Sequence, residues 1–520
     1  MKAFLIIFFS LALTCSLPLY AQKEALHWYF GPKLGFDFTG GSAQIVRNSA
    51  MNSSRGCATI SDKNTGELLF YSNGHNIWNR FHHRMPTSTS FPEDCSNFIV
   101  QSVLIVPVPE DIDKYYLFSL YVLVGERLDT TFNCSSGDIS ETVLGNKTYY
   151  YQLRYSIIDM RLDDGRGDIV PDKNNIFLQN NLSTKLTAIP HTNGKDYWLI
   201  THQDIGNSFY VHLLNQAGIQ NPIQQNIGSV YQIRQVDNMI YYEILGELKA
   251  SPNGKKLACA VYNGLERPFD VFDFDASTGT ISNYQNYGNI SQQMGVSFSP
   301  DNSKLYVTSS NKIDETNLRE LIRQYDMTLS TPEQIVASGK SIIRFNPYTN
   351  ISEKAWPVNV VFNTLHIAPD GKIYGAGEGS GTNSTNNALL VIGKPNSPGF
   401  DCGVTMKRFN FNLSDEGVGF RSLPNFIQSY FNNIPTIPDP DCNESDVTLF
   451  PNPVQQELTL TPLCGYVPTY VEIIDHLGRI VSTQHLDTTQ IQLNALASGM
   501  YVLRIFNADQ KTVIKKIIKL

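Results

Sequence analysis

Residues 294–310 read MGVSFSPDNSKLYVTSS, and the same pattern occurs as LGELKASPNGKKLACAVY at 245–262 and NTLHIAPDGKIYGAG at 363–377. Each copy has an alternating apolar strand, then Pro, a polar pair and usually Gly, then a second strand. Pro252, Pro300 and Pro369 mark the same point in each unit. Proline presets one backbone angle, Asn or Asp bonds its own backbone, and Gly accepts positive φ, so each copy predicts a β-hairpin.

Weaker copies lie upstream: RGCATISDKNTGELLFYSNG from Arg55, QSVLIVPVPEDIDKYYLFSL from Gln101 and KLTAIPHTNGKDYWLITHQD from Lys185. Six inner hairpins result, each followed by material for outer strands, such as YYYQLRYSIIDM from Tyr149 and FDVFDFDASTGTI from Phe269. Repeated units of this kind predict an all-β β-propeller over 22–434, which hides sheet edges by radial repetition. Seven blades would average roughly 58 residues, above the usual ~40–50. The seventh would join ALHWYFGPKLGFDFTG to GVGFRSLPNFIQSYF, the two ends of the region; six or eight blades stay open. Separate β-sandwiches are the alternative fold, but no linker divides the region.

Composition agrees: 28 Phe and 26 Tyr against only 17% charged residues favour pleated, half-buried surfaces. The net charge of −8 gives no basic footprint for nucleic acid. The N-terminus, MKAFLIIFFSLALTCSLPLYAQ, has a basic start and a short apolar run, and reads as a signal peptide over 1–21 cleaved after Ala21. No later segment is apolar enough to span a bilayer as a helix. Of eight cysteines, Cys15 falls in the signal. Cys57 and Cys259 sit inside apolar strand patterns and read as buried thiols. Cys95 with Cys134 and Cys442 with Cys464 are pairs to test, since sequence does not give connectivity.

The stretch NIPTIPDPDCNES carries three prolines and reads as a semi-rigid linker over 435–446. From 447 to 520 come seven short strands: VTLF, ELTLTP, TYVEIID, RIVSTQHL, QIQL, GMYVLRIF and TVIKKIIK. They predict a small immunoglobulin-like β-sandwich with Tyr501, Leu503 and Ile505 on one face. The succession LFPNP, LTL, VEIIDHLGRIV, LASGMYVLRI and KKIIK closely resembles the C-terminal sorting domain of proteins exported by the type IX secretion system of Bacteroidetes. The matching positions are Pro451, Asn452, Pro453, Gly478, Arg479, Gly499, Tyr501, Lys515 and Lys516. The resemblance implies two-step export, with the type IX machinery as partner and the product released or attached to surface lipopolysaccharide. WYFGPKLGFDF, GELLFYSNGHNIWNR, DYWLITH and LPNFIQSYF resemble WD40-like propellers on cell-surface proteins of the same phylum, some of them associated with gliding motility. That family has no common reaction, so the resemblance implies fold and surface location only.

Candidate chemistry is sparse. GHNIWNRFHHRMP holds His75, His82, His83 and Arg84, either a metal or anion site or a polar turn whose adjacent histidines point apart. His191, His202 and His212 are spaced too widely for a compact metal motif. Asp270, Asp273 and Asp275 read as alternating onto one strand face, where they could hold Ca²⁺ or simply face solvent. The Gly-rich run from Gly375 lacks the phosphate-loop ending. With the long insertion from Gly125, it is a candidate ligand loop. There is no CxxC or HExxH spacing for zinc, no GxSxG elbow and no sialidase box, so no catalytic residue, metal or cofactor is assigned. Two function classes stay open. One is a secreted or outer-surface binding or scaffold protein whose loops hold a glycan, peptide or surface protein. The other is a hydrolase or lyase with its site in the central channel. Beside these two classes stands a third reading, a structural part of a gliding apparatus.

Overall fold

The computed structural model describes residues 23–53, 56–88, 101–124, 149–236, 239–262, 266–309, 319–345, 360–379, 388–408, 422–436, 447–450, 452–462, 468–486, 490–507 and 512–520. The segment expected to be a signal peptide, most of the expected linker, Pro451, the insertion from Gly125, most of the Gly-rich run, and Cys95, Cys134, Cys442 and Cys464 lie outside these residues.

The repeated turn does what its chemistry requires. Gly254, Asn302 and Gly371, each two residues after the motif proline, have φ of 70°, 64° and 73°. Their amides donate to Ser251, Ser299 and Ala368 at 2.8–2.9 Å, closing each hairpin. Asn is among the few side-chain-bearing residues that tolerate this region, which explains the one copy without Gly.

All six expected hairpins are present. Their first strands are Ala58–Ser61, Val103–Val108, the second half of Ile176–Pro190, Leu248–Ala250, Val296–Phe298 and Val360–Ile367. The last three hairpins extend into four-stranded meanders that end at Ser291, Phe345 and Arg408. Each first strand packs beside the first strand of the next unit, so the region is all-β and propeller-like. Covered on both faces, these strands lose the usual buried–exposed alternation: Val296, Ser297 and Phe298 are all buried.

One feature departs from separate repeats. The strand Ile176–Pro190 pairs through its first half with Tyr149–Asp159 and through its second half with Tyr197–Gln203, fusing two units into one sheet. The break falls between Leu182 and Leu186, where the β ladder skips. There Ser183 Oγ donates to His202 O at 3.0 Å and Thr184 Oγ1 to Ile244 O at 3.0 Å, so the polar groups freed by the skip stay bonded.

The two ends of the array meet. Trp28 packs 5.7 Å from Phe426, and Asn425 donates its amide to Cys57 O at 2.9 Å. Toward the C-terminus, the sheet of Val447–Phe450, Glu457–Pro462 and Gln490–Gln492 faces a second sheet. That one contains Pro468–Ile474, Ile480–His485, Gly499–Asn507 and Thr512–Lys519. Leu458, Leu460 and Ile491 pack against Val471, Leu503 and Ile517 between them.

Candidate functional site

The terminal motif positions form three small constructions. Asn452 staples its segment to the last strand: its Nδ2 donates to Lys516 O at 3.0 Å, and Ile518 N donates to its Oδ1 at 2.9 Å. Pro453 follows through a cis peptide bond, and Val454 continues the contact by donating to Ile518 O. Gly478, at φ 80°, turns the chain so that Arg479 reaches back to Asp475 through Nε and Nη2, both at 2.8 Å. The Arg479 backbone amide, with the guanidinium and the Leu477 amide, outweighs burial and holds the Asp475 carboxyl below its ordinary pKa. Gly499 pairs with Lys519, and the half-turn before it receives Tyr501 OH at Ala497 O, 2.9 Å. Lys515 and Lys516 lie on opposite faces of the last strand. Every one of these partners is backbone or a neighbouring side chain, so the motif maintains a folded surface.

In the propeller-like array, a charged cluster sits where inner strands converge. Lys249 Nζ lies 2.9 Å from His366 Nε2 and 3.4 Å from Glu247 Oε1, and all three side chains are 1% exposed or less. Glu247 Oε2 also accepts from Val296 N at 3.0 Å, tying neighbouring inner strands together. Burial pushes the Glu247 carboxyl up, but Lys249, His366 and the Val296 amide outweigh it and hold it below its usual value. Burial, with Lys249 beside it, lowers His366 to about 4, so the imidazole is neutral at pH 7. These groups could exchange protons, but no solvent-exposed surface reaches them.

A small open cleft, with room for about one water, lies between the unit of Ala58–Asn79 and that of Val103–Asp159. Gly74, His75, Ile77 and Ser88 line it on one side; Ser119, Tyr121, Arg154, Tyr155, Asn174 and Asn175 complete it. Antiparallel pairing of Arg154 with Ser119 places the guanidinium beside that serine. Its Nη1 donates to Asn175 O at 3.0 Å and its Nε to Gln152 Oε1. Asn175 adopts φ 55°, held by Ser156 Oγ at 2.9 Å, and its own Oδ1 is buried with no hydrogen-bond partner. Tyr121 OH donates to Gly74 O at 2.8 Å and His75 meets the Tyr121 ring edge-on.

Of the histidines flagged by sequence, only His75 reaches this cleft. His82 turns away to Tyr71 OH at 3.1 Å, and His83 is exposed. His191 stacks on Trp198, His202 packs against Phe209 and Tyr231, and His212 bonds Gln220 O. Cys57 and Cys259 are buried thiols, as their strand patterns implied. The expectation that Asp270, Asp273 and Asp275 share a face is wrong. A spacing of three puts Asp270 on the opposite side of the strand, buried on Ser229 Oγ at 2.7 Å. Asp273 pairs with Lys256, and Asp275 closes its own turn. Arg154, Tyr121 and Asn175 escaped the sequence reading. The one local signal was an arginine inside the alternating run YYYQLRYSIID.

Residues 448–520 match the secretion system C-terminal sorting domain family. The chain is a type IX secretion cargo, exported to the cell surface or released. Among the described residues no helix is long and apolar enough to cross a membrane. No curated protein matches the sequence. Solved structures overlap it loosely. PorZ, a surface component of the Porphyromonas gingivalis type IX secretion system, is 10% identical over 96% of this chain and 74% of its own, with a TM-score of 0.28. A putative 6-phosphogluconolactonase from Bacteroides fragilis is 11% identical over 89% and 95%, with a TM-score of 0.34. Hydrazine synthase from Kuenenia stuttgartiensis is 13% identical over 76% and 99%, with a TM-score of 0.33.

Proposed function

We propose that this exported protein is a binding or scaffold protein of the outer cell surface, whose propeller-like region captures a cell-envelope molecule while the terminal module serves as address. The observation that carries the reading is the cleft between the first two hairpin units. It is open, polar and walled by side chains already fixed by hydrogen bonds, as a binding site needs in order to spend little ordering entropy on its ligand. The sorting domain brings it to where envelope glycans, lipopolysaccharide and surface proteins are its neighbours. We also propose that the N-terminal sheet and residues 422–431 together complete a seventh blade, an arrangement supported by the Trp28–Phe426 contact.

The hydrolase or lyase reading rests on the Glu247–Lys249–His366 cluster, whose shifted acid–base groups are what a channel enzyme would use. Their burial speaks for a structural role instead. The test is retention of the purified full chain on immobilised envelope fractions, namely polysaccharide, lipopolysaccharide and surface protein. Saturable retention on one fraction supports the reading. Turnover of a fraction without retention would replace it with the enzyme reading.

A further inference from the structure

We infer that the hairpin tip at 79–84 docks onto an anionic lipid surface, with Arg80 and Arg84 against headgroup phosphates and Phe81 entering the acyl boundary. This goes beyond the binding reading above and does not use the cleft, since none of these three side chains lines it.

The turn is a rigid mount. Trp78 bridges Arg84 across the hairpin, Asn79 N donates to His83 O at 2.9 Å, and His82 N donates to Asn79 O at 2.9 Å. Asn79 Oδ1 accepts from Phe81 N at 3.0 Å and from His83 N at 3.2 Å. His82 takes the left-handed position at φ 62°, where Gly is usual, and its ring turns inward to Tyr71 OH. Left outside are Arg80, His83 and Arg84, all exposed, and Phe81, which is 52% exposed. The Arg80 guanidinium lies 5.2 Å from the centre of the Phe81 ring.

Elsewhere on this acidic chain, arginines are neutralised. Arg161, Arg166, Arg267, Arg323, Arg479 and Arg504 each have a carboxylate at 2.7–3.1 Å. Among the described residues, neither Arg80 nor Arg84 has one; Arg84 Nη2 donates instead to Ser88 O at 2.6 Å. The net charge of −8 does not cancel this patch, because salt screens exposed charges beyond about 8 Å. Ligand pockets are concave, and an exposed hairpin tip encloses nothing, so the partner it fits is flat. An apolar ring between cations suits the boundary of headgroups and acyl chains. The sorting domain brings the chain to the cell surface, where such a boundary lies.

The experiment is cosedimentation of the full chain with vesicles of phosphatidylcholine alone and of phosphatidylcholine with phosphatidylglycerol, with retention on alginate beads measured in parallel. Wild type is compared with Arg80→Gln, Phe81→Ser and Lys255→Gln, the last removing an exposed cation from another unit. Arg80 and Phe81 are both exposed, so their variants should fold, which the melting temperature checks. The anionic vesicles should take up the chain and the neutral ones should not. Arg80→Gln should lower the partition coefficient by about five-fold, the share of one cation at an anionic surface. Phe81→Ser should lower it by about ten-fold or more, and Lys255→Gln should leave it unchanged. Equal uptake by both vesicle types would overturn the lipid assignment. So would tip variants that bind as the wild type does, or an equal loss in Lys255→Gln. Retention on alginate that the tip variants abolish, with no uptake by vesicles, would make the partner an acidic polysaccharide instead. Absence of binding to either overturns the docking surface itself.

Discussion

Lys249 and His366, 117 residues apart in sequence, meet with Nζ 2.9 Å from Nε2. Each stands three residues before its motif proline, so the two are equivalent positions of the same repeat brought face to face. Glu247 completes the group at 3.3 Å from His366 Nε2. A buried ion pair of this kind contributes little against an apolar substitute of the same shape, yet is costly to break from one side. Glu247→Gln alone, which leaves the Lys249 ammonium buried without its carboxylate, should cost about 3–5 kcal/mol. Adding Lys249→Met should recover much of that loss. Urea titration followed by tryptophan emission decides it, since all four tryptophans (Trp28, Trp78, Trp198 and Trp356) precede the terminal module. A double variant as unstable as the sum of the singles would refute the coupling.

Stability should fall as the medium becomes acidic, with a slope that two variants change in opposite directions. Burial holds His366 near about 4 and His202 near about 3, below the ordinary 6.5. Below pH 6.5 the unfolded chain therefore binds these protons first, and native stability drops. Asp270, raised by burial to about 6 from 3.8, acts the other way: between those values the native state holds a proton that the unfolded chain releases. Near pH 5 the three groups leave about one excess proton on the unfolded state, a slope of about 1.4 kcal/mol per pH unit. Asp270→Asn should roughly double that slope, and His366→Gln should flatten it. Urea midpoints measured from pH 7 to 4.5 give the result.

Asn452→Ala should loosen the end of the last strand. The side chain accepts from Ile518 N and donates to Lys516 O, and removing both bonds should cost about 1–3 kcal/mol locally. Amide exchange at Ile518 should then accelerate by about ten-fold or more. In cells, a reduced surface fraction would show that the export machinery reads the folded edge. Unchanged delivery with fast exchange would separate recognition from this staple.

The repeated turn offers a matched pair. Gly254 and Gly371 share left-handed geometry, so Ala at either should cost about 1–2 kcal/mol. At Gly254 a new Cβ would lie 3.1 Å from the Ile189 side chain, which can shift. At Gly371 it would lie 2.4 Å from Pro435 O and 2.7 Å from Thr436 Cα, both backbone. Gly371→Ala should therefore be the more damaging by at least about 1 kcal/mol. Equal costs in chemical denaturation would mean that the 435–436 segment yields freely.

The hairpins were legible in the sequence because a turn is set by residues within a few positions of one another. Pro300, Asp301 and Asn302 carry their backbone preferences wherever they sit, and the strands flanking them alternate on the same local rule. The terminal module was legible for the same reason: its staples, turns and strand faces come from closely spaced, recurrent residue choices. Tertiary structure decided what depends on contacts between distant segments. It used one strand to serve two sheets. It buried Lys249 against His366, and drew His75, Tyr121, Arg154 and Asn175 from separate stretches into one cleft. Burial and charge belong to the packed neighbourhood of a side chain, and that neighbourhood exists only once the chain has closed on itself.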